Sequence, residues 1–189
     1  MSNVILTDAD GVLLNWEYAF DCWMEARGFE PASKNIYDVT KRYNIDLEQK
    51  WLLVRAFNES ASIGFLPPLR DAIHYVRKLH EEHGYIFKVI TSLSTDKHAV
   101  RLRTKNLSKL FGTAIDDVIC IDTGADKDEA LEPYRDSGYV WIEDKPENAD
   151  LGVRLGLDVY MMEHEHNMHH ENEDIKVVKN WKEIYEMIT

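Results

Sequence analysis

Val4-Ile5-Leu6-Thr7-Asp8-Ala9-Asp10-Gly11-Val12-Leu13-Leu14 is a short apolar run interrupted by two carboxylates and a glycine. Its first residues read as a buried strand of the kind found in parallel sheets. Residues i and i+2 of an extended chain point to the same side, so Asp8 and Asp10 leave the strand tip together. The carboxyl ends of strands are where open α/β sheets gather ligands. Two carboxylates held that close repel each other, and a bound divalent cation is the usual remedy. One of the pair can then act as nucleophile or metal ligand while its neighbour manages a proton.

Outward from this strand, helical periodicity resumes at Asn15 and runs through Trp16, Phe20, Trp23 and Met24 towards Gly28. Asp46 with Gln49 three residues on is a capping-box signature for a second helix through Trp51, Val54 and Phe57. Pro67-Pro68 opens an amphipathic segment over Leu69, Ile73, Val76, Leu79 and His80 that stops at Gly84. Further strands are expected at residues 85–91, 118–121, 139–142 and 159–162. Helices are expected from Ser94 or Thr95 to about 110, and at 127–136, 146–155 and 181–188. Strands alternating with helices predict an α/β protein with a doubly wound, Rossmann-like parallel sheet. Residues 16–66 break the rhythm. They predict a small α-helical cap inserted after strand 1, leaving 1–15 and 67–189 as the α/β catalytic core.

The chain has 189 residues, enough for one well-buried domain with a small inserted unit. Its formal charge is -12, from 34 acids against 22 lysines and arginines, which argues against a nucleic acid polymer or an anionic membrane as partner. The expected partner is a small molecule, whose negative charge a metal and local lysines must offset. Cys22 and Cys120, far apart in sequence, read as reduced core residues of an intracellular protein. The N-terminal apolar run is too short for a signal peptide and no stretch is long enough to span a bilayer, so a soluble, cytoplasmic protein is expected.

Four groups fall at the ends of successive expected strands or shortly beyond: Asp8 and Asp10, Thr91-Ser92, Lys127, and Glu143-Asp144. Such ends share one edge of the sheet, so these groups should converge. Together they supply carboxylates for Mg2+, hydroxyls and a lysine for phosphate oxygens, and a carboxylate able to attack phosphorus. In this order the motifs resemble the haloacid dehalogenase-like hydrolase superfamily: Ile5-Leu6-Thr7-Asp8-Ala9-Asp10-Gly11-Val12, Val89-Ile90-Thr91-Ser92, Gly124-Ala125-Asp126-Lys127 and Trp141-Ile142-Glu143-Asp144. The resemblance implies a Mg2+-dependent phosphatase with Asp8 as nucleophile and Asp10 as proton donor and then base. It further implies Thr91, Ser92 and Lys127 on the phosphate. Asp8, the main-chain oxygen of Asp10, and Asp144 would hold the metal, with Glu143 supporting rather than ligating.

Within the superfamily the chain is similar to the 5'(3')-deoxyribonucleotidase branch and its bacterial and phage relatives. Trp16 stands where an aromatic lines the base pocket. Phe65-Leu66-Pro67, Glu143-Asp144-Lys145-Pro146 and the Trp181-x-x-Ile184 helix also match. Glu143 replaces a frequent Asp, and Ala125 stands where some members carry Arg. The implied substrate is a (deoxy)nucleoside monophosphate, with another small phosphometabolite as the alternative.

Other readings compete. Trp16, Phe20, Trp23, Tyr37, Tyr43 and Trp51 suit a base-stacking pocket, yet at helical spacing most must pack the cap. In the segment from Glu163 to Glu171, His166 and His170 would share a helical face and suit zinc or nickel. The run is polar without periodic apolar anchors, so a mobile surface loop is expected there instead. A receiver-like signalling domain also combines acid pairs, Thr/Ser and Lys on a doubly wound sheet, but its phosphorylated Asp ends a middle strand of the chain. A non-catalytic scaffold on the same fold is the remaining alternative.

Overall fold

The computed structural model describes residues 3–33 and 36–189. Its sheet has six strands: β1 (Val4–Thr7), β2 (Ile86–Ser92), β3 (Ile115–Ile121), β4 (Val140–Glu143), β5 (Asp158–Met162) and β6 (Ile175–Val178). All are parallel, in the order β3-β2-β1-β4-β5-β6. This is the doubly wound order whose direction reverses beside the first strand, and the crevice at that reversal is the ligand position of such sheets. Receiver-like sheets follow the order 2-1-3-4-5 instead, so topology removes that alternative.

Alternation along the strands divides the core into two layers. Ile5, Phe87, Val89, Ile142, Tyr160 and Met162 face one layer, whereas Leu6, Ile90, Trp141, Val159 and Met161 face the other. The first is covered by α4 (Ala72–His83), α5 (Lys97–Phe111) and α8 (Trp181–Ile188), the second by α6 (Asp128–Leu131) and α7 (Pro146–Arg154). The central strands β1, β4 and β5 are buried on both faces along most of their length and are correspondingly apolar, whereas the edge strands β3 and β6 expose Asp116, Asp117 and Lys176. Asp71 receives the main-chain N–H groups of Trp181 (3.0 Å) and Lys182 (3.1 Å), capping α8. The fully buried Trp181 donates from Nε1 to the Val12 carbonyl at 2.9 Å and so anchors the loop after β1.

Between β1 and α4 lie α1 (Trp16–Glu25), α2 (Val39–Tyr43), α3 (Leu47–Asn58) and a 3-10 turn (Ala61–Phe65), with no strand among the described residues. The ends of this insertion are clamped together: Asn15 N–H donates to Pro67 O, and Leu69 N–H to Leu13 O, both at 2.9 Å. Its core is aromatic, with Phe20, Trp23 and Phe57 meeting at 5.4–6.2 Å. The buried Arg42 ties α2 to α1 through Glu17, Asp21 (3.0 Å) and the Ile36 carbonyl (2.6 Å).

Several sequence expectations need correction. β6 lacks an alternating or aromatic signature and escapes sequence reading, but it gains main-chain hydrogen bonds by pairing with β5. The expected helix at 127–136 stops at Leu131 and tightens into a 3-10 turn over Glu132–Tyr134, because Pro133 carries no N–H. Asp96, not Ser94 or Thr95, caps α5, accepting from the N–H groups of His98 and Ala99. Cys22 is exposed rather than in the core, and Cys120 is only partly buried; both are free thiols.

Candidate active site

The tips of β1 and β4 are adjacent, since Asp8 N–H donates to the Ile142 carbonyl at 2.8 Å. This pairing brings Asp8, Glu143 and Asp144 together, with one carboxylate oxygen of each lying within 4.8 Å of the others. Gly11 makes the approach possible. Its φ of +74° favours glycine, and a Cβ there would sit 2.3 Å from Asp144 Oδ2.

Lys127, 1% exposed at the start of α6, places Nζ 3.0 Å from Asp8 Oδ1 and 2.7 Å from Glu143 Oε2. The other Glu143 oxygen accepts from the N–H groups of Asp144 (2.9 Å) and Lys145 (3.1 Å). Glu143 is therefore committed to holding Lys127 and shaping the β4 turn. Burial opposes its ionisation, yet Lys127 and these N–H groups keep its carboxyl below the ordinary value. Asp8 is pushed up to about 7, first by burial and then by Glu143 and Asp10, against the pull of Lys127. Asp144 is raised by burial first, and then by Glu143 and Asp8. One lysine thus serves three buried carboxylates, an arrangement with a deficit of positive charge.

Asp10 does not face this cluster unaccompanied. Arg103 of α5, fully buried, grips it with both terminal nitrogens, NH1 to Oδ1 at 2.6 Å and NH2 to Oδ2 at 3.1 Å. Thr91 lies at the bottom of the site with its buried hydroxyl unpartnered. Ser92 donates to the Ala125 carbonyl at 3.0 Å. Asp8, Asp10, Thr91, Ser92, Lys127 and Asp144 all open onto one cavity of about 700 Å³ between sheet and insertion.

The cavity walls come from the insertion and from the connection between β5 and β6. Trp16 lines the cavity, backed by Phe20 in a near-parallel stack at 4.7 Å, and its Nε1 donates to Asn58 at 2.9 Å. Asn58 in turn donates to the Leu93 carbonyl at 3.0 Å, linking insertion to sheet. Trp51 covers Gly124, where a Cβ would lie 2.9 Å from its ring. On the opposite wall the expected surface loop is a loop, exposed at Glu165, Met168, His169 and Glu171, but it turns His164, His166 and Asn167 inward. Parallel strands need a crossover, and residues 163–174 make it across the carboxyl edge. His164 Nε2 lies 2.7 Å from the Gly11 carbonyl, His166 Nε2 lies 3.1 Å from the Asp144 carbonyl, and the buried Asn167 donates to that same carbonyl at 2.7 Å. Burial is the first cause holding both imidazoles below the ordinary histidine value. Tyr37 stacks on His166 at 3.8 Å. His170 turns away to Asp150 at 3.0 Å, so His166 and His170 do not share the site imagined for a transition metal.

Solved structures with similar architecture cover nearly the whole chain. L-2-haloacid dehalogenase from Xanthobacter autotrophicus superposes with a TM-score of 0.65 at 12% identity, over 100% of this chain and 98% of that one. CbbY from Rhodobacter sphaeroides, solved with phosphate, gives 0.62 at 14% identity over 97% and 96%. A haloacid dehalogenase-family hydrolase from Deinococcus radiodurans, holding phosphate and sodium, gives 0.55 at 15% identity over 97% and 93%. This is the fold of the haloacid dehalogenase-like hydrolases. No protein-family model matches the chain. A 32.4 kDa protein from the Gp30-rIII intergenic region of Enterobacteria phage T4 is 28% identical over 172 residues, 86% of this chain. The chain spans 61% of that phage protein's length.

Within the haloacid dehalogenase-like fold, sequence reasoning missed Arg103 and Asn58 and did not place His164 or His166 at the cavity. Arg103 left a signal: Ala99, Arg103, Asn106 and Leu107 form the buried stripe of α5, and a cation on such a stripe demands an anion. The histidines left none, because their place depends on a crossover that only β6 requires.

Proposed function

We propose that the protein is a Mg2+-dependent phosphomonoesterase that works through a phosphoaspartyl intermediate on Asp8. The observation that carries this reading is the Asp8 carboxylate at the tip of β1, 3.0 Å from Lys127 and clustered with Asp144, with Asp10 two residues on. In this reading Asp8 attacks phosphorus as the ester O–P bond breaks, and Asp10 protonates the departing oxygen. Water then attacks the phosphoaspartate while Asp10 takes its proton. Lys127, Thr91 and Ser92 face the phosphoryl oxygens; the unpartnered hydroxyl of Thr91 is available for one.

The donor set fits a hard cation: Asp8 and Asp144 offer carboxylates, Asp10 a main-chain oxygen, and Glu143 is already engaged by Lys127. Bound there, Mg2+ would neutralise charge on the carboxylates and the phosphoryl group. Displacement at a carbon–halogen centre has no comparable need for a cation, so the acidic cluster favours phosphorus. The phosphate held by the Rhodobacter and Deinococcus proteins is consistent with that choice.

The favoured substrate is a (deoxy)nucleoside monophosphate. Its support is the size of the cavity and the fixed indole of Trp16 beside it, a surface on which a base can stack. A panel of phosphomonoesters assayed with and without Mg2+ tests the whole reading. Phosphate release from nucleotides above sugar and aryl phosphates supports it, and inertness towards every ester with Mg2+ present rejects it.

A further inference from the structure

Arg103 spends its charge on one acceptor group. Arg42 of the insertion spreads its donors over Ile36 O, Asp21 and Glu17. Arg103 instead presents both terminal nitrogens to Asp10, and its buried Nε has no hydrogen-bond partner. A planar fork on a carboxylate fixes the plane and rotation of that carboxylate. Each Asp10 oxygen then keeps one lone-pair direction outside the fork, and Asp10 lines the cavity beside Asp8.

The geometry points to Arg103 as the positioning residue for Asp10, holding its carboxyl where a proton can pass to the leaving oxygen and later be taken from water. This inference rests on the phosphatase reading and deepens it. The balance of the first step is simple: the Asp8 oxygen–phosphorus bond forms, the ester O–P bond breaks, and the Asp10 proton goes to the released alkoxide oxygen. In the second step, water's oxygen bonds to phosphorus, its proton goes to the Asp10 carboxylate, and the Asp8–phosphorus link breaks. Proton transfer by a well-placed side chain contributes about 10²–10⁴-fold, and that contribution depends on placement. A leaving group that departs as a stable anion needs no proton in the first step.

The test compares an alkyl phosphate with 2,4-dinitrophenyl phosphate, using wild type, Arg103→Lys, Asp10→Asn and the double variant. Lysine keeps the charge and loses the fork. Arg103→Lys is expected to slow the alkyl ester about a hundredfold. With the dinitrophenyl ester it should leave the initial release within about threefold and expose a burst, because water attack on the phosphoaspartate has become slow. In the Asp10→Asn background, adding Arg103→Lys should change nothing further on the alkyl ester, since both act through one group. Equal losses on the first step of both esters, or additive losses in the double variant, would show Arg103 to be a structural residue only. If Arg103→Lys does not fold by circular dichroism, Arg103→Met carries the same comparison, and failure of both to fold also overturns the positioning role. A wild type inert on both esters, in contrast, rejects the phosphatase reading and this inference with it.

Discussion

At the residue scale, Asp8 sits in a contradiction that the chemistry can use. It is buried beside two other acids, yet Lys127 touches it at 3.0 Å. Asp8→Asn keeps the shape and removes both the nucleophile and a ligand charge. Phosphate release should fall on the order of 10⁴-fold or more, with the circular dichroism spectrum unchanged. Wild-type turnover, with mass spectrometry excluding deamidation back to Asp, would contradict the assigned chemistry.

The same residue predicts a pH effect on stability. Between the ordinary aspartate value of 3.8 and about 7, the folded protein holds a proton on Asp8 that the unfolded chain has released. Without divalent cation, stability should therefore fall as pH rises from 5 towards 7, by at most about 1.4 kcal/mol per pH unit for that proton. Asp144, raised for the same reasons, adds in the same direction. Glu143 is shifted downward, so its contribution is lost only at pH values below this window. Mg2+ should raise the melting temperature near pH 8 much more than near pH 5. A cation response independent of pH would place the binding site elsewhere.

At the element scale, the insertion is held by one buried polar network and one aromatic cluster. Arg42→Met leaves Asp21 and Glu17 without their cation. The expected cost is about 3 kcal/mol, at the low end for a broken buried pair because Glu17 is half exposed. For a chain of this length that is a melting temperature lower by about 6–12 °C. By contrast, Arg55 and Asp122 are both half exposed at 3.1 Å, and breaking that pair should change little.

Trp16 belongs to the same element and reports on specificity. Stacking of a base on an aromatic is worth ~1–3 kcal/mol, so Trp16→Ala should lower kcat/KM for a nucleotide by about ten- to a hundredfold. A small aryl phosphate should lose far less. The ring also packs on Phe20 and Phe57, so equal losses on both substrates would assign it to packing alone and withdraw the nucleotide preference.

At the scale of the whole molecule, the local pattern determined the alternation of strand and helix and the acids at the tip of β1. Apolar runs buried on both sides, capping residues such as Asn15 and Asp46, and stops such as Gly84 are local physics, readable without neighbours. The reach of Asp8 to Lys127 follows from topology once the sheet is parallel, because every strand ends on the same edge. Three things only the tertiary structure decided. β6 exists because an edge of β5 needed pairing, not because its own residues demand a strand. His164 and His166 reach the cavity because the crossover to β6 must pass over the carboxyl edge. Arg103 meets Asp10 across 93 positions of sequence because α5 packs its one buried cation beneath the β1 loop. Partners so distant leave no spacing to read; they are selected by burial, where an unpaired charge costs too much to keep.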